Sequence, residues 1–503
     1  MNVCHDSTGA NARLRVAVLC TAAVLTTYAC GGSVNPSDTT PPVEAVAWSE
    51  CDLGFECGVV SVPVDYDHPN AGTLRVAVTR KRAVDAAHRI GSLIFNPGGP
   101  GLSGVATLQV LAGAFPARVR ERFDLVSFDP RGTRNSGKID CGTDISAFVS
   151  ALPLPAIAGE PLPVAPLFVE MGQACARTAG HLFPFVNTIN TARDLDRIRQ
   201  AVGDDKLSYL GVSYGTRLGA VYADLFPSRV RAIVLDGAIE PVAPLEQQAR
   251  DEAQAAEASL GRFLQACQAR ADCPIGTDPA GFYDALKAQL TRQPLPAPGA
   301  GDDHVVTVGD LEGATLTGIS LPTFFGAQYL DALAAAGAGD GAPLRALALG
   351  LFSDPDGPAE IDAYWTILCA DEREHPSPTA AGDLARELEQ QYPRVGAYAV
   401  SYLVAGCADW PLPPTPIPVV RAPGAPPIVV IGTTGDPNTP YLWAQHLAHA
   451  LESAVLVTRQ GEGHTWFVSG FRNACINDLV AAYFVDGEVP GDGTTCTAGG
   501  ARQ

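Results

Sequence analysis

Three short segments of this chain hold a serine, an aspartate and a histidine in settings that suit a nucleophile, an acid and a base. A serine hydroxyl attacks poorly until a base takes its proton and the developing oxyanion is stabilised. Ser213 stands in Gly211-Val212-Ser213-Tyr214-Gly215, after the apolar run 207–212 and before a helical pattern over 216–225, with Pro227 beyond its end. A strand that enters G-x-S-x-G and leaves into a helix turns sharply and exposes the serine oxygen, and the flanking glycines leave room for the turn. The five-residue pattern is common by chance; its strand–turn–helix setting separates Ser213 from a structural serine. Asp436, in Gly435-Asp436-Pro437-Asn438, follows the apolar run 428–431. A carboxylate at the end of a strand can orient a histidine and stabilise its imidazolium. The competing reading is an Asp-Pro turn residue, and position after the penultimate strand favours the acid. His464, in Gly461-Glu462-Gly463-His464-Thr465, is the one among nine histidines that sits in a Gly-rich loop after the last strand pattern, 454–457.

The oxyanion needs backbone donors. The loop Asn96-Pro97-Gly98-Gly99-Pro100-Gly101 follows the strand pattern 92–95, and the expected donors are the N–H groups of Gly99 and of Tyr214, the residue after the nucleophile. The stretch from Gly99 to Gly104 also spells G-x-G-x-x-G, the dinucleotide fingerprint. Pro100 restricts that turn, and the next apolar run ends in Asp129 at a longer spacing than a nucleotide fold uses, so no cofactor is implied. His446 and His449 share a helix face, but no carboxylate or cysteine spacing completes a metal site around them. They read as surface or core residues.

These residues need a scaffold. Short β-branched runs at 59–62, 74–79, 92–95, 125–128, 207–212, 230–235, 428–431 and 454–457 alternate with helical patterns, which predicts a mostly parallel sheet covered on both faces. A helix is expected from the capping box Thr191-Ala192-Arg193-Asp194 to Gly203, with Leu195, Ile198 and Val202 on one face. Residues 241–410 differ: they are rich in Ala, Leu, Gln and Glu, with helical stretches at 246–269, 282–290 and 382–391 and few strand patterns. They read as a helical cap inserted between strands. Pro-rich stretches at 293–300 and 411–427 punctuate its interior and its exit, and 151–166 reads as a surface loop. The chain order Ser213, Asp436, His464 is that of the α/β-hydrolase fold and not of the chymotrypsin or subtilisin folds. The expected organisation is a signal peptide over 1–29, a tether over 30–44, a first core part over 45–240, the cap over 241–410 and a second core part over 411–503.

With 503 residues there is room for a large core and an insertion. A net charge of −20 argues against a nucleic-acid partner, which requires basic patches, and is explained first by solubility. Arg13 and Arg15 precede an apolar stretch, 16–27, that is too short to span a bilayer and suits a signal peptide. Thr27-Tyr28-Ala29-Cys30 resembles a lipoprotein cleavage site, with Cys30 the acylated residue, although Thr27 stands where leucine is usual. The expectation is an exported protein held at the membrane through Cys30; the alternative is plain secretion after cleavage near Ala29. Beyond the leader, cysteines occur as the sequence neighbours 51/57, 141/175, 267/273, 369/407 and 475/496, and nearest-neighbour disulfides are the simplest pairing.

Together these motifs resemble the tripeptidyl aminopeptidase branch of the prolyl-aminopeptidase-like α/β hydrolases, mainly exported bacterial enzymes. The similarity runs from about residue 45 to 490. It includes Val62-Pro63-Val64-Asp65-Tyr66, the Asn96 to Gly104 loop, Asp129-Pro130-Arg131-Gly132, the Ser213 elbow, Leu235-Asp236-Gly237, Trp410-Pro411, Asp436 and His464. The resemblance implies Ser213, Asp436 and His464 as a triad that releases short peptides from free N-termini through an acyl-enzyme. Some relatives are carboxylesterases, so the substrate is a peptide or a small acyl compound. A free amine needs an acceptor, for which Glu240, Asp371 and Glu372 are candidates, each with a structural role as the plainer reading. A non-catalytic binding lipoprotein is the alternative from another class. Epoxide and haloalkane chemistry is disfavoured, because those enzymes place an aspartate at the elbow.

Overall fold

The computed structural model describes residues 42–151, 159–298, 305–350, 359–469 and 472–502. The expected signal peptide, Cys30 and the tether up to residue 41 lie outside them. A ten-stranded sheet organises the rest. Its strands are β1 (Ser49–Glu50), β2 (Glu56–Pro63), β3 (Thr73–Lys81), β4 (Gly91–Asn96), β5 (Phe123–Phe128), β6 (Leu207–Val212), β7 (Val230–Asp236), β10 (Ile428–Gly435), β11 (Ala454–Glu462) and β12 (Thr494–Cys496). They lie in the order β1-β2-β3-β5-β4-β6-β7-β10-β11-β12. The first three join β5 in antiparallel fashion, and from β5 to β12 every neighbour is parallel.

Alternation along the central strands explains why they read as unbroken apolar runs. Tyr209 of β6 with Ile233 and Leu235 of β7 enters one core cluster, while Leu210, Val212, Ala232 and Val234 enter another. Successive side chains of a strand point to opposite faces, so a sheet covered on both sides needs apolar residues at every position. All eight expected strands are present, each extended by a residue or more or ending where the pattern ends. β1 and β12 were not expected, being two and three residues long.

The capping-box expectation was displaced by tertiary demand. The helix before β6 runs Thr188–Ala201 and starts on Asn187, whose side chain accepts from Asn190 N. Asp194 is inside that helix and is spent elsewhere: its two oxygens accept from Arg131 Nε and Nη2 at 2.7 Å each, both side chains being almost fully buried. A guanidinium taken out of water needs such a counter-charge.

Between β7 and β10 the chain forms helices Leu245–Gln268, Pro279–Arg292, Val308–Ser320, Pro322–Gly337, Ala342–Gly350, Ala359–Asp371, Pro378–Gln391 and Gly396–Leu403. Part of this insertion has its own apolar core, including Leu260, Leu264, Tyr283, Leu311, Tyr329 and Leu333. Within it the two-residue strands β8 (Leu295–Pro296) and β9 (Val305–Val306) pair antiparallel, so the first Pro-rich stretch holds a strand as well as a turn. Of the surface loop expected over 151–166, residues 152–158 lie outside the described ones, Ala151 still belongs to helix Ile145–Ala151, and helix Ala165–Thr178 has begun before 166. Five disulfides join the sequence neighbours Cys51–Cys57, Cys141–Cys175, Cys267–Cys273, Cys369–Cys407 and Cys475–Cys496. Among the described residues, no helix is long and apolar enough to cross a membrane.

Candidate active site

β6 ends at Val212, and the helix Tyr214–Leu225 begins two residues later, leaving Ser213 to make the whole turn. It does so at φ 55° and ψ −125°, a left-handed conformation that side chains other than glycine rarely adopt. Its N–H is held by the Asp236 carbonyl of β7 at 2.8 Å. Gly215 lets the turn press onto the end of β4, since a Cβ there would lie 2.6 Å from the Asn96 carbonyl oxygen. The loop after β4 lies against the turn in the same way. A side chain on Gly98 would sit 3.0 Å from Tyr214 N, and Gly99 lines the cavity beside Ser213. Tyr214 itself is buried, and its hydroxyl bonds that of Thr188, which donates to Asp371 at 2.6 Å.

Asp436 opens the loop after β10 and is almost wholly buried. Its carboxylate accepts from Asn438 N and Thr439 N at 2.9 Å each, from the Thr439 hydroxyl at 2.9 Å and from Thr465 N at 3.0 Å. His464 Nδ1 lies 3.0 Å from both Asp436 oxygens and so carries the proton, which leaves Nε2 as the free lone pair. Burial raises the Asp436 pKa, but the His464 charge and these bonds outweigh it and the net direction is down. Burial likewise disfavours the His464 imidazolium, yet the Asp436 charge and hydrogen bond carry its pKa above the ordinary histidine value.

Ser213 and His464 line one chamber of about 310 Å³. No hydrogen bond joins them among the described contacts, and such bonds commonly tighten only on substrate binding. The chamber walls are largely apolar, with Phe95, Leu111, Leu321, Ile361, Tyr364 and Tyr398 among them. The helical insertion supplies several of these residues and also grips the loops that carry Asp436 and His464. The Ser320 carbonyl accepts from His464 N at 2.7 Å, and the Ser320 hydroxyl donates to Asn438 Oδ1 at 2.5 Å.

The insertion adds one ionisable group that sequence reasoning passed over. Glu252, on the helix Leu245–Gln268, is 7 % exposed and lines the chamber with Ser213. No donor among the described residues reaches its carboxylate. Burial, and then the Asp436 charge, push its pKa up to about 8. The signal was present in the sequence: Glu252 lies on the apolar stripe of its helix with Leu245, Ala249, Ala256 and Leu260, where a carboxylate needs a reason. The three acids singled out instead line a separate cavity and have partners. Glu240 accepts from His446 at 2.6 Å, Asp371 from Thr188, and Glu372 faces Arg217 at 3.4 Å. His446 is thereby an exposed partner of Glu240 on the surface of its helix.

Comparison with known proteins adds an independent line. Residues 91–340 match the family model described as alpha/beta hydrolase fold, and residues 392–496 match that of the TAP-like proteins. The chain is 36 % identical to serine protease Hip1 of Mycobacterium tuberculosis over 484 residues, which covers 90 % of this chain and 91 % of that one. It is 32 % identical to a tripeptidyl aminopeptidase of Streptomyces lividans over 492 residues, 90 % of this chain and 86 % of that one. With carboxylesterase B of Mycobacterium tuberculosis it shares 34 % over 456 residues, 88 % and 86 % of the two chains.

Proposed function

We propose that this chain, which belongs to the TAP-like group of the α/β-hydrolase family and is a serine hydrolase, removes short peptides from free N-termini through an acyl-enzyme on Ser213. His464 Nε2 takes the Ser213 proton as the hydroxyl attacks the scissile carbonyl, and then gives it to the leaving amine. Asp436 holds the Nδ1–H tautomer and stabilises the imidazolium. The Tyr214 and Gly99 N–H groups receive the oxyanion. His464 Nε2 then takes a proton from water as it attacks the acyl carbonyl, and gives that proton to Ser213 Oγ as the ester bond breaks and the peptide acid leaves.

The observation that carries the peptidase reading is Glu252. A carboxylate without a donor, facing an apolar chamber beside the nucleophile, is costly unless a ligand completes it. With its pKa near 8 it is mostly neutral at pH 7 in the empty site. A substrate ammonium beside it restores the anion and gains a charge-assisted hydrogen bond. Chamber walls under the helical insertion then limit how much acyl chain fits between the ammonium and Ser213. The names of the peptidase relatives agree with this reading. Export, with attachment through an acylated Cys30, fits the leader and the disulfides, since disulfides persist outside the reducing cytosol.

The test is a panel of di- and tripeptide amides with free and acetylated N-termini, set beside short acyl esters. The free-amine peptides are expected to be the preferred substrates. Glu252→Gln should lower the ratio of kcat/KM for free over acetylated peptide by about tenfold to a hundredfold, the worth of one buried charge-assisted bond. Faster turnover of acyl esters than of free peptides would move the assignment to a carboxylesterase.

A pH dependence follows as well. Only neutral His464 can act as base, and its pKa is raised in the folded site. The acid limb of kcat/KM is therefore expected above the ordinary histidine value of 6.5, activity falling as pH drops through it. A limb well below 6.5 would contradict the His464–Asp436 pairing.

A further inference from the structure

We infer that Asp236, at the end of β7, is a positioning residue of the hydrolytic site that ties the nucleophile turn to the loop carrying the base. This rests on the triad reading above and adds to it a second buried carboxylate. The Asp236 backbone carbonyl accepts from Ser213 N at 2.8 Å. Its side chain accepts from Trp466 N at 3.0 Å through one oxygen and from Phe467 N at 2.8 Å through the other. One residue thus holds the nucleophile with its main chain and the base loop with its side chain.

The division of labour with Asp436 is visible in three successive amides. Thr465 N goes to Asp436, and Trp466 N and Phe467 N go to Asp236. The two aspartates stand at the ends of neighbouring parallel strands, where Asp236 is in register with Ile431 of β10 and with Val212 of β6. The loop just after His464 is therefore clamped from two strand ends, and Thr465 is held at φ 61°. Gly237 completes the fit, because a Cβ there would lie 2.6 Å from Thr465 Cγ2.

Asp236 is completely buried, and no cation among the described residues bonds to its carboxylate. Burying a carboxylate against backbone amides is expensive compared with an asparagine or an apolar residue, so its presence there calls for a use. The charges acting on it are those of His464 in the base loop and Arg459 on β11, and His464 in turn feels Asp436 just past the end of β10. Burial raises the Asp236 pKa to about 6 against the pull of the amides and of these cations. Its negative charge in turn favours the imidazolium form of His464.

Asp236→Asn tests this. The amide keeps one acceptor, loses the second and the charge, and matches the shape of the original. The expected result is a fall in kcat of about tenfold to a hundredfold with KM little changed, and an equal slowing of fluorophosphonate labelling. The acid limb of kcat/KM is expected at lower pH than in the wild type, a shift that a merely structural residue would not cause. Wild-type kcat and an unmoved limb in a folded Asp236→Asn protein overturn the inference. Should that variant not fold, the low-field resonance of the His464 Nδ1 proton in the wild type supplies the reading. Beyond the titrations of His464 and Glu252 it is expected to report a third, which persists in Glu252→Gln; its absence there overturns the inference. Failure of the triad reading is seen separately, as labelling that survives Ser213→Ala.

Discussion

Replacing Ser213 by alanine is expected to leave a folded protein that neither turns over peptides or esters nor takes up a fluorophosphonate. The fold should be untouched for a local reason. The Ser213 Oγ makes no hydrogen bond among the described contacts, and the turn is built by backbone groups that alanine keeps: the N–H on Asp236 and the carbonyl that accepts from Thr216 N at 2.8 Å. Alanine has the same Cβ at φ 55°, so the strain of the turn is unchanged. Thermal unfolding should therefore shift by no more than about 2 °C, as for a substitution that removes no buried contact. Activity should fall by roughly a millionfold in kcat, the size of loss seen when the nucleophile of a triad is deleted. What remains comes from the oxyanion donors and from binding alone. Normal turnover by Ser213→Ala, or covalent labelling of another residue, would refute the mechanism.

Asp436→Asn and His464→Ala should each cost about ten-thousandfold or more in kcat, and the double variant little beyond the worse single one. Non-additivity is expected because the pair acts as one unit: without His464 the carboxylate has no imidazolium to stabilise. The asparagine exchange is the more informative. Asp436 accepts from Asn438 N, Thr439 N, the Thr439 hydroxyl and Thr465 N besides facing His464. An amide NH2 in that shell meets donors, so the ring loses its tautomer control and the loop loses part of its anchorage. Stability should drop as well as kcat, which distinguishes Asp436 from Ser213. Steady-state kinetics on the three variants, with unfolding midpoints, would show it. Losses that multiply in the double variant would indicate that the two residues act independently.

Most of the working parts are legible locally. A turn such as that at Ser213 needs its glycines within two residues, and a parallel strand buried on both faces must be apolar at every position, so β4, β6, β7 and β10 announce themselves. Each disulfide among the described residues joins a cysteine to its neighbour in the cysteine order, across 6 to 38 residues, so that order alone is enough to pair them. Chain order then sorts Asp436 and His464 from the other acids and histidines. In each case the information lies within one element or in the sequence of elements.

Partner choice across elements is of another kind. Asp194 has the spacing of a helix cap and is claimed by Arg131, which comes from 63 residues away. The sequence marks Glu252 only as a carboxylate on an apolar helix stripe, and it is the folding of the insertion over Ser213 that makes it face a chamber. Ser320 meets His464 across 144 positions and Asn438 across 118, and Asp236 meets Trp466 across 230. A hydrogen bond is decided by a few tenths of an ångström and by direction, which depend on how the sheet twists and how the helices pack on it. Sequence alone thus determined which chemistry this chain is built to perform and in what order its parts appear. Only the tertiary structure decided which buried carboxylate lines the chamber beside Ser213, and which bonds both the Ser213 turn and the loop after His464.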